Sequence, residues 1–144
     1  MTIERAARRV SVTALTALAG AHVAWGLGST WPLPDRETFS DVVAGRQEPP
    51  GPVPCFAVAG ALGTAALLVA GRPRRRPALS RVGSAGVAGV LAVRGAAGLA
   101  GRTELLSPGA GGSPRFRRLD RIVYAPLCLA LAASTAVATA RRDR

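Results

Sequence analysis

The chain has 144 residues, of which 49% are hydrophobic and 4% aromatic, and its formal net charge at pH 7 is +11. The length allows one domain, and the single histidine excludes a metal site built from several histidines. Aromatic residues are too few for a nucleic-acid surface, and the sequence has no zinc motif, phosphate-binding loop or nucleophile elbow. We therefore expect no nucleic-acid partner, no metal and no other cofactor.

The charged residues are separated from four apolar blocks, at residues 10–28, 55–71, 82–100 and 122–140. Each block has about 17 to 20 residues, the length of a helix that crosses the hydrocarbon core of a bilayer. Arg94 is the only charged residue inside a block. The sequence therefore predicts an all-α, four-helix transmembrane bundle that forms one membrane domain over residues 1–144.

The first block follows Arg8 and Arg9, an arrangement that also occurs in export signal peptides. The apolar run is long for a signal, and a cleaved signal would leave the three later blocks unexplained. We expect this block to remain as the first membrane helix.

The segments between the blocks have distinct compositions. Prolines prevent a continuous helix over residues 29–54, which we expect to form an exterior loop able to fold back over the bundle. Residues 72–81 form a short basic cytoplasmic loop suited to anionic headgroups. Residues 101–121 form a second exterior loop, glycine-rich and flexible in its middle.

The arginines predict the orientation of the bundle. Eleven lie in the N-terminal segment, the 72–81 loop and the C-terminal segment, against seven in the two other loops. Because the more basic side stays in the cytoplasm, both termini are assigned to the cytoplasmic side of the cell membrane. The protein is then multi-pass and in contact with the lipid bilayer.

Two features of the later blocks concern helix packing. In a membrane, small residues let helices approach closely, so that van der Waals packing replaces the hydrophobic drive. The third block contains five such glycines: Gly83, Gly86, Gly89, Gly95 and Gly98. In the fourth block Pro126 lacks a backbone N–H, and we expect it to free a carbonyl about one turn earlier.

Three unusual side chains share one layer of the predicted bundle. His22, Arg94 and Cys128 each lie about 9 Å below the outer end of their helix, at about 1.5 Å per residue. The long Arg94 side chain can reach the outer interface, where an acidic or phenolic group can accept its hydrogen bonds. Helical spacing brings further polar residues to the same region. The sequence thus predicts an outer-leaflet ligand-binding pocket of five residues: His22, Trp25, Arg94, Asp120 and Tyr124.

Each of these residues also has a purely structural interpretation. Trp25 and Tyr124 are typical of the aromatic belt at a membrane interface. His22 fits a neutral helix-packing residue, and Arg94 with Asp120 fits an ion pair that locks the bundle. These alternatives stay open at the level of sequence.

Two cysteines, Cys55 and Cys128, are expected near the exterior end of the second and fourth helices. A disulfide can persist in that compartment, although cysteine is also a common small buried residue and no Cys-x-x-Cys motif occurs. They are candidates for a redox pair or for structural thiols.

Three segments carry a resemblance to a known family. They are His22-Val-Ala-Trp25-Gly-Leu-Gly28-Ser-Thr-Trp31, Arg94-Gly-Ala-Ala-Gly98 and Phe116-Arg-Arg-Leu-Asp120-Arg-Ile-Val-Tyr124-Ala-Pro126-Leu-Cys128-Leu. In this order they resemble the motifs of a bacterial four-helix membrane family, domain of unknown function 3995, over nearly the whole chain. Many relatives have an acidic and aromatic stretch after the arginine, where this chain has Gly98-Leu-Ala-Gly101-Arg102. The resemblance implies an integral protein of the bacterial cytoplasmic membrane but no established activity.

Three functions are compatible with these features. The leading interpretation is a membrane protein that binds a small molecule or lipid through Arg94 and His22. One alternative is a small membrane-embedded enzyme, with His22 as acid or base, Tyr124 as donor and Arg94 on an anionic group. Another is a structural partner of a second membrane protein, packed through the glycine-rich third helix. The ligand and the oligomeric state are left open.

Overall fold

Helices account for all the regular secondary structure in residues 2–140, the part of the chain that the computed structural model describes. The α-helices are α1 (Ile3–Gly26), α2 (Arg36–Phe39), α3 (Pro52–Val69), α4 (Pro77–Leu99), α5 (Pro114–Leu119) and α6 (Ala125–Ala140). One π-helical turn, Ser40–Ala44, continues α2. A second, Asp120–Tyr124, joins α5 to α6, so that Pro114–Ala140 is one helical rod.

The helices extend beyond the apolar blocks that predicted them. Helix α1 begins at Ile3 rather than at residue 10, and α4 at Pro77 rather than at residue 82. Arginine and glutamate are good helix formers, so the helical backbone continues past the point where hydropathy falls. The rod that ends in α6 begins at Pro114 rather than at residue 122, which shortens the predicted 101–121 loop. Prolines occupy the first helical turn of α3, α4 and α5, where their missing N–H costs nothing.

Three helical segments are long and apolar enough to cross a membrane: Pro52–Val69, Pro77–Leu99 and Pro114–Ala140. Helix α1 is longer than the first of these but is not among them. It contains Glu4, three arginines and several hydroxyl side chains, as well as His22. Hydropathy alone therefore identifies three of the four predicted spans.

Contacts at the helix ends define how the first three long helices run. Gly26, at the end of α1, lies against Phe56 at the start of α3, since an added Cβ at Gly26 would be 3.0 Å from that ring. Near the end of α3, the Leu68 carbonyl accepts a hydrogen bond from Ser80 Oγ in the first turn of α4 (2.7 Å). Helices α1, α3 and α4 therefore run in alternating directions.

The last long helix closes the ring. Gly98, near the end of α4, abuts Ala125 at the start of α6, and Ser134, in the second half of α6, bonds to Ser11 of α1 at 2.9 Å. The fold is thus an up-down-up-down bundle whose two described chain ends lie at the same end. We call this the termini end, and the opposite one, which carries the 29–51 and 100–113 connections, the loop end.

A chain of hydroxyl groups joins α1 to α6 at the termini end. Thr135 Oγ1 donates to Ser11 Oγ (3.3 Å), Ser11 Oγ donates to Ser134 Oγ, and Ser134 Oγ donates to the Ala7 carbonyl oxygen (3.0 Å). Ser11 and Thr135 are fully buried. Each hydroxyl is thereby satisfied inside the bundle, which is what a low-dielectric interior requires.

At the loop end the proline-rich segment does fold back over the bundle. The Gly45 carbonyl accepts a hydrogen bond from the Gly112 N–H (3.1 Å), and Arg46 donates to the Pro108 carbonyl. Gly45 has a φ of 64°, and an added Cβ would lie 2.6 Å from the Phe116 ring. Only glycine allows the two loops to meet in this way.

Candidate functional site

Arg94 lies on the face of α4 that is directed into the bundle, and it pairs with Asp120. Its Nη2 is 2.6 Å from Asp120 Oδ1, and the Thr103 hydroxyl donates to Asp120 Oδ2. Asp120 is only 2% exposed. Both of its carboxylate oxygens therefore accept a hydrogen bond, and the buried negative charge is compensated by Arg94.

The guanidinium keeps donor capacity after this pairing. Arg94 Nη1 is buried and has no hydrogen-bond partner among the described residues, while the side chain as a whole is 26% exposed. Gly98 makes room for it, because an added Cβ there would be 2.8 Å from Nη1 and 3.0 Å from Asp120 Oδ2. The site thus consists of an ion pair with no net charge and one NH₂ group of the guanidinium that has no partner in the described part of the chain.

The π-helical turn that begins at Asp120 lies where the sequence predicts a disturbed helix. The Ala125 N–H bonds to the Asp120 carbonyl, five residues back, and the following residue, Pro126, has no N–H to offer. Widening the helix by one residue relieves the clash that a proline ring otherwise makes with the carbonyl four residues earlier. Such turns occur frequently at functional sites.

Tyr124 is directed toward the loops rather than toward Arg94. Its hydroxyl donates to the Val42 carbonyl oxygen at 3.0 Å, and its ring lies 6.0 Å from that of Phe116. Of the two acceptors predicted for Arg94, the structure brings Asp120 to it. The hydroxyl proton of Tyr124 is therefore engaged in a hydrogen bond to the proline-rich loop.

His22 and Trp25 form a separate aromatic group with Phe39. The His22 and Trp25 ring centroids are 4.7 Å apart, and those of Trp25 and Phe39 are 5.2 Å apart. Trp25 Nε1 donates to the Trp31 carbonyl and His22 Nδ1 to that of Leu18, both at 2.8 Å. A neutral His22 that donates through Nδ1 has only an acceptor at Nε2.

The five predicted pocket residues therefore fall into three groups: the Arg94–Asp120 pair, Tyr124 on the Val42 carbonyl, and His22 with Trp25. In the described part of the chain, no hydrogen bond or ring contact joins His22 to Arg94. Helix α2 contacts the His22–Trp25 group through Phe39, and the π-helical turn that follows it contacts Tyr124 through Val42. Thr103, Phe39 and Val42 are absent from the sequence prediction; a phenylalanine within a polar, proline-rich segment is the one sequence signal that could have indicated Phe39.

Burial differs among the interior side chains of the bundle. Interior positions in the half near the termini end, such as Leu15, Ser84 and Thr135, are fully buried. Near the loop end His22 and Cys128 are only partly buried, whereas Asp120 and Ala125 are as buried as the residues at the termini end. The loop-end interior is thus exposed only at individual side chains.

Cys55 and Cys128 are both free thiols. Cys55 is buried at the start of α3, with its Sγ 3.9 Å from the Pro50 carbonyl oxygen. Cys128 lies on α6, near enough to interact electrostatically with Arg94 and Asp120. The disulfide that the sequence allows is not formed in the structure, and the redox and structural roles of the two thiols stay predictions.

Two surface clefts of the described structure are lined by residues other than Arg94, Asp120 and Tyr124. One, of about 390 Å³, lies at the loop end and is lined in part by Trp25. The other, of about 450 Å³, lies at the termini end, between the start of α1 and the end of α6. Among residues 2–140 no group of three His, Cys, Asp or Glu side chains is placed to hold a metal ion.

Fold and site together define an all-α membrane protein with an ion pair inside its helical bundle. Residues 15–135 match the family described as Protein of unknown function (DUF3995), and the chain belongs to this family. The matched range contains His22, Arg94, Asp120 and Tyr124. Comparison with curated proteins and with solved structures gave no significant match.

Proposed function

We propose that the protein spans the membrane four times, with both termini in the cytoplasm and the loop end at the exterior. Helix α1 has 24 residues, which corresponds to about 36 Å and exceeds a hydrocarbon core of about 30 Å. It runs antiparallel to α3 and α6, beside two of the apolar helices. Two of its polar side chains make hydrogen bonds within the protein, Ser11 to α6 and His22 to the backbone of α1 itself. The arginine distribution supports the orientation.

The function that the geometry supports best is binding of a polar group from a small molecule or lipid in the outer half of the bundle. The observation that carries this is the buried Arg94 Nη1, which lacks a partner beside a carboxylate that is already saturated. Because Asp120 already compensates the charge of the guanidinium, the group bound is recognised as a hydrogen-bond acceptor, such as a phosphate or carbonyl oxygen, more than by its net charge.

The test compares Arg94→Lys with wild type in detergent, using inorganic phosphate and the short-chain lipid dioctanoyl phosphatidylglycerol as probes. Lysine keeps the charge for Asp120 but lacks the second terminal nitrogen. We expect wild type to be thermally stabilised by at least one probe, and the variant to fold, insert and lose that response. Arg102→Lys, an exposed change nearby, is the control. If neither probe stabilises the wild type, or if Arg94→Lys is stabilised as much as the wild type, the Arg94–Asp120 pair has a structural role only.

The alternative of docking onto another membrane protein is supported by two glycines only. Gly83, Gly95 and Gly98 pack within the bundle, whereas added Cβ atoms at Gly86 and Gly89 would meet nothing within 4 Å. Gly86→Leu should abolish co-purification of such a partner in mild detergent, with Val90→Leu on the same exposed face as control. Survival of the complex in Gly86→Leu would argue against it.

The enzyme alternative has less support. It requires His22, Arg94 and Tyr124 to act on one substrate, but Tyr124 bonds to the Val42 carbonyl and His22 belongs to the aromatic group with Trp25. No shared reaction centre follows from these contacts.

A further inference from the structure

The cleft at the loop end lies on the opposite pair of helices from Arg94. Its volume of about 390 Å³ is within the usual range of small-molecule sites, about 300–1,000 Å³. It is lined by the end of α1, the start of α2 and the approach to α3. The lining residues are Trp25, Gly26, Gly28, Arg36, Glu48, Pro49, Pro50, Gly51 and Pro52.

Two opposite charges line this cleft without neutralising each other. The side chains of Arg36 and Glu48 are exposed, and neither makes a hydrogen bond or ion pair within residues 2–140. Surface charges of opposite sign that stay apart remain free to bind a partner that carries both signs. A simple anion would be attracted by Arg36 but repelled by Glu48, and a simple cation would be attracted by Glu48 but repelled by Arg36. Binding of either ion is therefore disfavoured.

The rest of the wall combines an aromatic ring with prolines and glycines. Trp25 donates its only N–H to the Trp31 carbonyl, so that only its ring surface is available to a ligand, and the ring packs against His22 and Phe39. The wall also contains three prolines, which have fixed φ angles and no N–H groups, and three glycines, which have no side chain. The cleft thus places two charged groups beside an aromatic ring and a proline-rich backbone, and apolar surface with a few polar groups is typical of ligand sites.

We propose that this cleft binds a zwitterion with a phosphate and an ammonium group, the phosphoethanolamine moiety, with phosphate on Arg36 and ammonium on Glu48. The cleft opens where α1 ends and α3 begins, which places it at headgroup level if α1 spans the membrane as proposed above. The moiety is available both as a phospholipid headgroup and as the free phosphate ester. This site is separate from that of Arg94 and does not depend on it.

The experiment measures calorimetric binding of phosphoethanolamine, and of monoethyl phosphate, which lacks the amine, to the purified full chain in detergent. Glu48→Gln should weaken phosphoethanolamine binding at least about tenfold, because a charged hydrogen bond is lost, and leave monoethyl phosphate unaffected. Arg36→Gln should weaken both. Glu37→Gln and Arg115→Gln remove exposed charges that do not line the cleft and should bind as wild type does.

A second arm distinguishes the two sources of the moiety. Native mass spectrometry after release from vesicles of phosphatidylethanolamine and phosphatidylglycerol should show retained phosphatidylethanolamine in wild type and its loss in both variants. Retention of the lipid without binding of the free ester assigns the site to lipid. Absence of both, or equal binding by wild type, Glu48→Gln and Arg36→Gln, would overturn the proposal. The outcome is independent of the response of Arg94→Lys, and circular dichroism confirms that the exposed substitutions leave the fold intact.

Discussion

At the scale of single residues, Arg94 meets the conditions that a membrane imposes on a charge. An isolated guanidinium inside a bilayer is costly, and the cost falls when it is paired and hydrogen-bonded. Here the partner is Asp120, near the start of the helical rod that ends in α6, and the Thr103 hydroxyl donates a hydrogen bond to its second carboxylate oxygen. The pair therefore joins α4 to the helical rod that ends in α6, and it also positions the Arg94 guanidinium on which the proposed ligand contact depends.

Asp120→Asn should destabilise the protein by about 3 kcal/mol, because it leaves the Arg94 charge uncompensated in the bundle. Adding Arg94→Gln should restore part of this loss, since the double variant contains no unpaired charge, with a coupling energy of about 1 kcal/mol or more. Equilibrium unfolding of the two single variants and the double variant in mixed detergent measures this cycle. Additive losses would show that the two groups do not interact.

Gly98→Ala should destabilise by about 1–3 kcal/mol, because a Cβ would overlap Ala125 and the Arg94 guanidinium, which cannot both move. Gly86→Ala is the matched control on the same helix, where the Cβ meets open space and the change should be neutral or stabilising by up to about 1 kcal/mol. Thermal unfolding in detergent compares the two. Equal effects would contradict the close approach of α4 and α6.

At the scale of elements, α1 and α6 are joined by a chain of hydroxyl groups. Ser11→Ala removes the acceptor of Thr135 and the donor to Ser134, and should cost about 0.6–1.7 kcal/mol, the range for hydrogen bonds between membrane helices. Thr13→Ala removes a hydroxyl at an exposed position of the same helix and should cause no comparable loss. Unfolding in mixed detergent tests both, and indistinguishable stabilities would argue against the hydroxyl chain.

The short helix α2 carries a pH-dependent cap. Asp35 accepts hydrogen bonds from the Thr38 N–H (2.7 Å) and the Thr38 hydroxyl (3.0 Å), and these hold the pKa of its carboxyl below the ordinary value of 3.8. A lowered pKa contributes stability above the ordinary pKa, which is lost as the pH falls through the lowered value.

We therefore expect hydrogen-exchange protection of the Thr38 amide, corrected for intrinsic exchange, to be constant at neutral pH and to fall in strong acid. Asp35→Asn keeps an N-cap that does not titrate, so its protection should not vary with pH. A wild-type profile that matches the asparagine variant would show that the carboxylate does not cap α2.

At the scale of the whole molecule, the four long helices close into a ring whose described ends meet at one end. The proposed topology places Thr2 and Arg74 in the cytoplasm and Gln47 at the exterior. Single cysteines at these positions, with Cys55 and Cys128 replaced by alanine, should differ in labelling by a membrane-impermeant thiol reagent on intact cells. Only Gln47→Cys should react. Labelling of both Thr2→Cys and Gln47→Cys would instead mean that α1 does not cross the membrane.

Local features of the sequence were sufficient for the class of fold and for the family. An apolar run of sufficient length indicates a helix regardless of what that helix packs against, so the all-α bundle and its apolar blocks were predictable. Hydropathy places the starts of α1 and α4 too late, because Ile3 is followed by Glu4 and three arginines and Pro77 precedes Arg81 by four residues, and hydropathy assigns such charged residues to loops. The sequence predicts an acceptor for Arg94, with Asp120 and Tyr124 as the two candidates near the same end of the bundle, and the structure brings Asp120 to the guanidinium.

The sequence by itself thus determined that this is a helical membrane protein with one charge within its apolar blocks, because hydrophobic periodicity and polarity are properties of short stretches of the chain. Only the tertiary structure decided which side chains meet. Tyr124 bonds to Val42 and Trp25 packs on Phe39 because the proline-rich loop folds back, and contacts between residues far apart in the chain leave no local pattern. The same fold brings Arg36 and Glu48 to one cleft, a juxtaposition that neither residue's neighbours in the chain indicate.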